Sequence, residues 1–242
     1  MEISAWHDAL TRDCAAMAAT AETASLGVPV PACPGWTLAD LVYHTGEVLS
    51  FWTIIVRDEI DDPETIERPP RPADAALAGW LRQQAVGASH ILRSANPASR
   101  CWTWTEQHDV EFVIRRLAQE IAVHRWDAED AAGLAASIDA ELASDGIDEF
   151  LEHFIPWKRL DAEELGGTAH LHCTDVAGEW LVAPGDDGML AVTREHAKGS
   201  CALRGSASDL LLALWRRRPL SSIEVIGDAE VARRLVDWTN LS

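Results

Sequence analysis

The chain is short of basic side chains. Of its 242 residues, 20 are lysine or arginine and 39 are aspartate or glutamate, which gives a formal net charge of −19. A phosphate backbone or an anionic membrane surface would be repelled by most faces of such a molecule. The composition therefore argues against nucleic acid and against a membrane surface as partners.

Long apolar runs are also missing, and cysteines are few. No stretch suits a transmembrane helix, and residues 1–8 lack the basic start and apolar core of a secretory signal. The five cysteines are an odd number and include no Cys-x-x-Cys pair, which favours reduced thiols over disulfides. Together these features predict a cytoplasmic protein.

Apolar residues at helical spacing dominate the chain up to residue 154. They predict helices over residues 3–25, 38–59, 74–95, 110–131 and 138–154. Thr37 is expected to cap the second helix, with Asp40 three residues later as a loose capping box. Gly46 within that helix indicates close approach of another helix. Four long helices with modest connections are typical of a four-helix bundle.

After Pro156 the pattern changes to short alternating runs broken by glycine and aspartate turns. These runs predict a small domain with a mainly antiparallel sheet and two helices, over residues 210–217 and 229–240. The predicted fold class is therefore α+β in two domains. Residues 1–157 form the helical bundle, and residues 158–242 form the α+β domain.

The fourth predicted helix carries Glu120 and His124 on one face, because residues four apart lie one turn apart. His44 lies on an apolar stripe of the second predicted helix. A carboxylate and imidazoles on buried faces are costly unless something compensates them, and a divalent metal would. Two imidazoles and one carboxylate leave a coordination position open, as in catalytic zinc sites, and the same set suits iron(II).

A simpler interpretation of these three residues is available. An inward-facing histidine is usually satisfied by hydrogen bonds within the core, and a glutamate and a histidine four residues apart often occur on helices by chance. The spacing permits a metal site and does not require one.

Two segments around these residues resemble the signatures of a known family. Residues 31–44, PACPGWTLADLVYH, are similar to the opening signature of the mycothiol-dependent maleylpyruvate isomerase family, within the wider group of DinB-like bundles. Residues 120–127, EIAVHRWD, resemble its second signature. Residues 205–215 and 223–228 resemble the family's second domain, which is compared with sterol-carrier-like folds.

The resemblance implies a DinB-like up-and-down four-helix bundle followed by a sterol-carrier-like domain. It implies a Zn²⁺ ion, with Fe²⁺ or Ni²⁺ as alternatives, held by His44, Glu120 and His124. It also implies mycothiol, or another low-molecular-weight thiol, as cosubstrate. A metal with an open position lowers the pKa of a thiol and so generates a nucleophile near neutral pH.

Several functions remain open at this stage. The thiolate could add to an activated double bond, as in the cis–trans isomerisation of maleylpyruvate to fumarylpyruvate. It could equally displace a leaving group from a small-molecule electrophile, which would make the protein an S-transferase. A non-catalytic ligand-binding or accessory module and a zinc hydrolase are the alternatives from other classes.

The resemblance also implies a catalytic residue in the second domain, with one departure. Where the family often has glycine and then arginine after a tryptophan, this chain reads Trp215-Arg216-Arg217-Arg218. Arg217 matches the arginine that faces a substrate carboxylate in the family. A solvated basic helix end, favoured by the helix dipole, is the alternative, and either neighbouring arginine could take the role instead.

Three lesser predictions concern possible ligands and their neighbours. Asp40 could accept the free ring N–H of His44, or it could simply begin the helix. Cys33 is expected to be a small apolar loop residue, with a reactive thiol as the alternative. His170 and His172 share one strand face, but without a partner of matching spacing we expect no second metal site.

Two further pairs flank the proposed site in sequence. Arg125 and Asp127 are expected to lie on the surface of the fourth helix. Trp102 and Trp104 are expected either to line a substrate cavity or to belong to the core or its rim.

Overall fold

The computed structural model describes residues 1–186 and 188–241. It divides into two compact units, Met1–Ala136 and Ser137–Ser242. The first unit is helical, and the second combines helices with a five-stranded sheet. This confirms the predicted α+β fold. The division falls earlier than the change of sequence pattern at Pro156, because the fifth helix belongs to the second unit.

The first unit is a bundle of four helices. Their bounds are α1 (Ile3–Thr23), α2 (Leu38–Asp58), α3 (Leu77–Ser94) and α4 (Val110–Ala131), with short 3-10 turns at Pro63–Thr65 and Asp74–Ala76. Helices α1 and α2 each pack against both α3 and α4. The core they share is apolar, and its fully buried aliphatic side chains include Leu10, Met17, Leu41, Leu49, Leu81 and Leu117.

The start of α2 is fixed by a capping box, as the sequence predicts. The Asp40 amide donates to Thr37 Oγ1 at 3.3 Å, and Asp40 Oδ2 accepts from the Thr37 amide at 2.9 Å. A capping side chain of this kind is worth about 1 kcal/mol. Because the cap sets where the helix begins, it also sets the direction in which His44 points.

Helices α2 and α3 approach closely at a glycine. A Cβ added to Gly46 would overlap the Trp80 ring of α3. The Trp80 ring also stacks on Tyr43, at 5.5 Å between ring centroids. The close approach predicted from Gly46 is therefore present, and Trp80 is the side chain that makes it.

The second unit begins with helix α5 (Ala140–Glu149), which continues into a π-helical turn, Phe150–Phe154. The five strands are β1 (Ala169–Cys173), β2 (Glu179–Pro184), β3 (Leu190–Thr193), β4 (Cys201–Gly205) and β5 (Glu224–Gly227). They lie in the order β3-β2-β1-β4-β5, and every pairing is antiparallel except β1 with β4. Helices α6 (Ala207–Leu214) and α7 (Ala229–Trp238) complete the unit.

Among the described residues, every helix is too short or too polar to span a bilayer.

Candidate metal centre

Helices α2 and α4 bring His44, Glu120 and His124 together. The Nε2 atoms of His44 and His124 lie 3.8 Å and 3.9 Å from Glu120 Oε1. The two imidazole rings meet edge to face, with centroids 5.2 Å apart. These separations exceed hydrogen-bonding distance. One donor atom from each residue lies within 4.8 Å of the other two, as the ligands of a single ion would.

The protonation of His44 suits metal binding. Burial, followed by the neighbouring His124, lowers the pKa of His44 to about 4, against the opposing effect of Glu120. Its imidazole is therefore neutral at neutral pH and keeps a lone pair for a ligand bond. Trp36 contacts the same ring edge to face at 4.9 Å and restrains its orientation.

Asp127 contacts the Nδ1 side of the His124 imidazole. Its Oδ2 lies 3.1 Å from His124 Nδ1, and its side chain is completely buried. The prediction that Asp127 lies on the helix surface is therefore wrong, since residues three apart share a helix face and His124 faces inward. A carboxylate that accepts Nδ1–H fixes the tautomer in which Nε2 carries the lone pair.

Cys33 also reaches this group. Its Sγ lies 4.0 Å from Asp127 Oδ2, within the distance at which a thiol donates a weak hydrogen bond. With His124 and Asp127 it forms a second, overlapping set of three possible metal ligands. The loop before α2 therefore places the Cys33 thiol beside His124 and Asp127 of α4. This polar contact differs from the prediction that Cys33 is an apolar loop residue.

Two buried arginines of α4 compensate carboxylates of the bundle. Arg116 is 4% exposed, and its Nε lies 3.6 Å from Glu120 Oε2. Arg125 is 8% exposed and pairs with Asp13 at 3.5 Å and Glu129 at 2.5 Å. The prediction of a surface role for Arg125 is wrong, because the bundle buries this face of the helix too. Arg116 brings a compensating charge to the proposed ligand Glu120.

Asp40 does not orient His44. In the described part of the chain its carboxylate is engaged by the Thr37 amide, the Thr37 hydroxyl and the Arg71 guanidinium. The hydrogen bonds from Thr37, followed by that from Arg71, lower the pKa of Asp40 to about 2. Of the two roles open from the sequence, the structure gives Asp40 that of a helix cap.

A cavity of about 430 Å³ opens beside the three proposed ligands, and His44 and Glu120 form part of its wall. Its apolar lining includes Phe51, Trp52, Trp102 and Trp104. The two tryptophans of the loop before α4 therefore line a cavity. A mostly apolar cleft of this size with a few polar groups is typical of a small-molecule site.

Two charged residues of the cavity were not singled out by the sequence. Glu47 Oε1 is buried and has no hydrogen-bond partner among the described residues. Arg68 lies 3.9 Å from it, with a side chain that is 87% exposed. Glu47 follows His44 by three residues on α2, so helical spacing offered a signal for it. Arg68 lies in an irregular connection, for which periodicity offers none.

Arg217 lies in the second unit, beyond the end of α6, which stops at Leu214. Its Nη1 donates to the Trp215 carbonyl at 3.0 Å, and its guanidinium lies 5.8 Å from the centroid of the Trp215 ring. Arg216 donates to the carbonyls of Val236 and Thr239, and Arg218 pairs with Asp209 at 2.7 Å. The catalytic role of Arg217 stays a prediction.

Both units are similar to the same family of known proteins. Residues 7–129 match the family model described as the mycothiol maleylpyruvate isomerase N-terminal domain, and residues 141–234 match the model of the C-terminal domain. A crystal structure of the mycothiol-dependent maleylpyruvate isomerase is similar over 93% of both chains, with a TM-score of 0.63 and 10% identity. A mutant of that enzyme gives a TM-score of 0.62 at the same coverage and 10% identity. No curated protein matches the chain significantly.

Proposed function

This chain belongs to the mycothiol maleylpyruvate isomerase family, and on that premise we propose that it is a metal-dependent enzyme that uses mycothiol against a small-molecule electrophile. The metal is zinc, with iron(II) or nickel(II) as the alternatives, and its ligands are His44, Glu120 and His124. The observation that carries this proposal is the convergence of these three side chains, from two helices, beside a cavity whose wall includes His44 and Glu120.

The residues around the ligands fit a divalent ion. His44 is neutral at neutral pH, Asp127 holds His124 in the tautomer that presents Nε2, and Arg116 stands against the far oxygen of Glu120. When bound, zinc with an open coordination position lowers the pKa of a thiol and supplies a thiolate near neutral pH.

The cavity supplies the binding surface for the electrophile. Its aromatic walls suit a planar conjugated group, while Arg68 offers a cation at the rim for a carboxylate. A conjugated keto acid such as maleylpyruvate combines these features. Addition of the thiol sulfur to its double bond, rotation about the resulting single bond and departure of the thiol give cis–trans isomerisation with no net change in composition. A thiol that stays attached makes the reaction an S-transfer.

We also propose that the protein is cytoplasmic. None of the five cysteines, all within the described ranges, is in a disulfide, and four of them are buried in the two cores. Free thiols are the normal state of cysteine in a reducing compartment.

The test combines metal analysis with a thiol assay on the purified, untagged protein. We expect one equivalent of zinc in the first unit, and consumption or turnover of mycothiol with maleylpyruvate or with another electrophile of a panel. Bacillithiol and glutathione serve as competing thiols. His124→Ala should lose that equivalent and the activity. His90→Ala, on α3 outside the site, is the matched control and should retain both.

Three results would count against the proposal. Zinc content unchanged in His124→Ala would remove the ligand assignment. Activity that persists without any thiol would make the protein a hydrolase. Thermal shifts with ligands but no turnover over the whole panel would make it a binding or accessory module.

A further inference from the structure

The second unit carries a cluster of three histidines and one glutamate. His170 and His172 alternate with Leu171 along β1, so both side chains lie on one face of the sheet. Glu179 stands opposite His172 in the register of β1 with β2. His196 comes from the connection between β3 and β4. The partners that the sequence analysis did not find for the two strand histidines are therefore present.

The glutamate carboxylate lies in the middle of the three imidazoles. Glu179 Oε1 is 2.6 Å from His172 Nδ1, and Glu179 Oε2 is 2.8 Å from His196 Nδ1. The same Oε2 is 3.9 Å from His170 Nε2. One ligand atom from each of the four residues lies within 4.8 Å of the other three. The four donors thus converge as tightly as those of the first unit.

His170 shows that hydrogen bonding does not satisfy the cluster. Its residue is 7% exposed, and its Nε2 is a buried atom without a hydrogen-bond partner in the described part of the chain. A buried polar atom left without a partner costs about 1–3 kcal/mol. This nitrogen faces the Glu179 carboxylate at a distance too long for a hydrogen bond, so the space between them suits an ion that both atoms could bind.

The nearby Arg194 does not pair with the Glu179 carboxylate. Arg194, two residues before His196, pairs with Asp148 and lies over the Trp180 ring at 5.6 Å. It is therefore engaged away from Glu179. The carboxylate has only imidazoles as close partners among the described residues.

We propose that His170, His172, Glu179 and His196 form a second metal site, in the C-terminal unit, for a divalent transition metal such as zinc. Three imidazoles and one carboxylate fill all four positions of a tetrahedral site, which is the pattern of a structural site. Imidazole donors select zinc, copper, nickel or cobalt over calcium and magnesium. The ion would tie β1, β2 and the β3–β4 connection together. This inference is independent of the proposed function of the first unit.

The test is metal stoichiometry of the untagged full chain after chelation and reloading. Wild type should bind two equivalents of Zn²⁺. Glu179→Gln and His196→Ala should each lose one of them, or bind it about tenfold or more weakly, since even loss of a residue that only supports a ligand weakens metal sites by that much. His90→Ala lies outside both clusters and should still bind two equivalents.

Cobalt(II) gives a second measurement, through the intense visible absorption of tetrahedral sites. In a His124→Ala background, the remaining cobalt spectrum should persist and then vanish on adding His196→Ala. The His196 side chain is 79% exposed, so its removal should leave the fold intact, as circular dichroism can verify. If Glu179→Gln and His196→Ala both keep the second equivalent of zinc with unchanged affinity, the site is overturned, and this result does not depend on metal binding in the first unit.

Discussion

At the residue scale, Asp127 differs most from its predicted role in the first unit. It follows His124 by three residues and is buried against it, so α4 provides two proposed ligands and the acceptor that orients one of them. Residues that hold a metal-binding histidine in one tautomer act on affinity through that histidine. Asp127 is therefore a positioning residue whose effect should appear in metal binding.

We expect Asp127→Asn to weaken zinc binding by about 10–100-fold, because the neutral amide is a poorer acceptor for the His124 Nδ1–H. The measurement is competition of the apo-protein with a chromophoric chelator. Asp130→Asn, at an exposed position of the same helix, is the matched control and should leave the affinity unchanged. Equal zinc affinity in Asp127→Asn and wild type would show that the hydrogen bond does not support the site.

At the element scale, the contact of α2 with α3 positions the site wall. α2 carries His44 and Glu47, and its approach to α3 is limited by the Trp80 ring beneath Gly46. The cap at Thr37 sets the rotation of α2, and the Gly46 contact sets its distance from α3. The spacing pattern predicted both features, because a capping box and a helical glycine are local signals.

We expect Gly46→Ala to destabilise the protein by about 1–3 kcal/mol, since the added methyl group would force the Trp80 ring or the helix to move. Urea unfolding followed by tryptophan fluorescence measures this. Gly87→Ala on α3, where an added Cβ meets open space, should instead be neutral or stabilising by up to about 1 kcal/mol. Equal stability of Gly46→Ala and wild type would mean that the helices separate without cost.

At the scale of the whole molecule, both units bury thiols but leave one within reach of solvent. Burial raises the pKa of Cys14 and Cys173 to about 12, and of Cys101 and Cys201 to about 11. A raised pKa keeps these four thiols protonated and unreactive at pH 8. Cys33 is only half-buried, in the loop before α2.

We therefore expect one fast-reacting thiol in the native protein at pH 8 and five after unfolding. Labelling with a maleimide followed by intact-mass measurement counts them. Cys33→Ser should abolish the fast reaction, whereas Cys201→Ser should leave it unchanged. Fast labelling of two or more thiols in the native state would contradict the burial of the other four.

The division into units shows the limit of a local pattern at this same scale. Helix α5 has the periodicity of the bundle helices, and the sequence pattern groups residues 138–154 with the helical domain of residues 1–157. It packs instead on α6, whose Ser208 hydroxyl accepts from the Ile138 amide at 2.9 Å. The family model of the C-terminal domain likewise begins at residue 141. Periodicity identifies a buried face but not the element that covers it.

The sequence by itself determined the helices, the cap at Thr37, the glycine contact and the α+β class, because each depends on residues close together in the chain. It also selected His44, Glu120 and His124, through helical spacing and two signatures. Only the tertiary structure decided that Asp127 and Arg125 are buried, and that Glu179 and His196 join the strand histidines. These outcomes depend on which distant segments pack against one another. The spacing of side chains along a single helix or strand does not determine that packing.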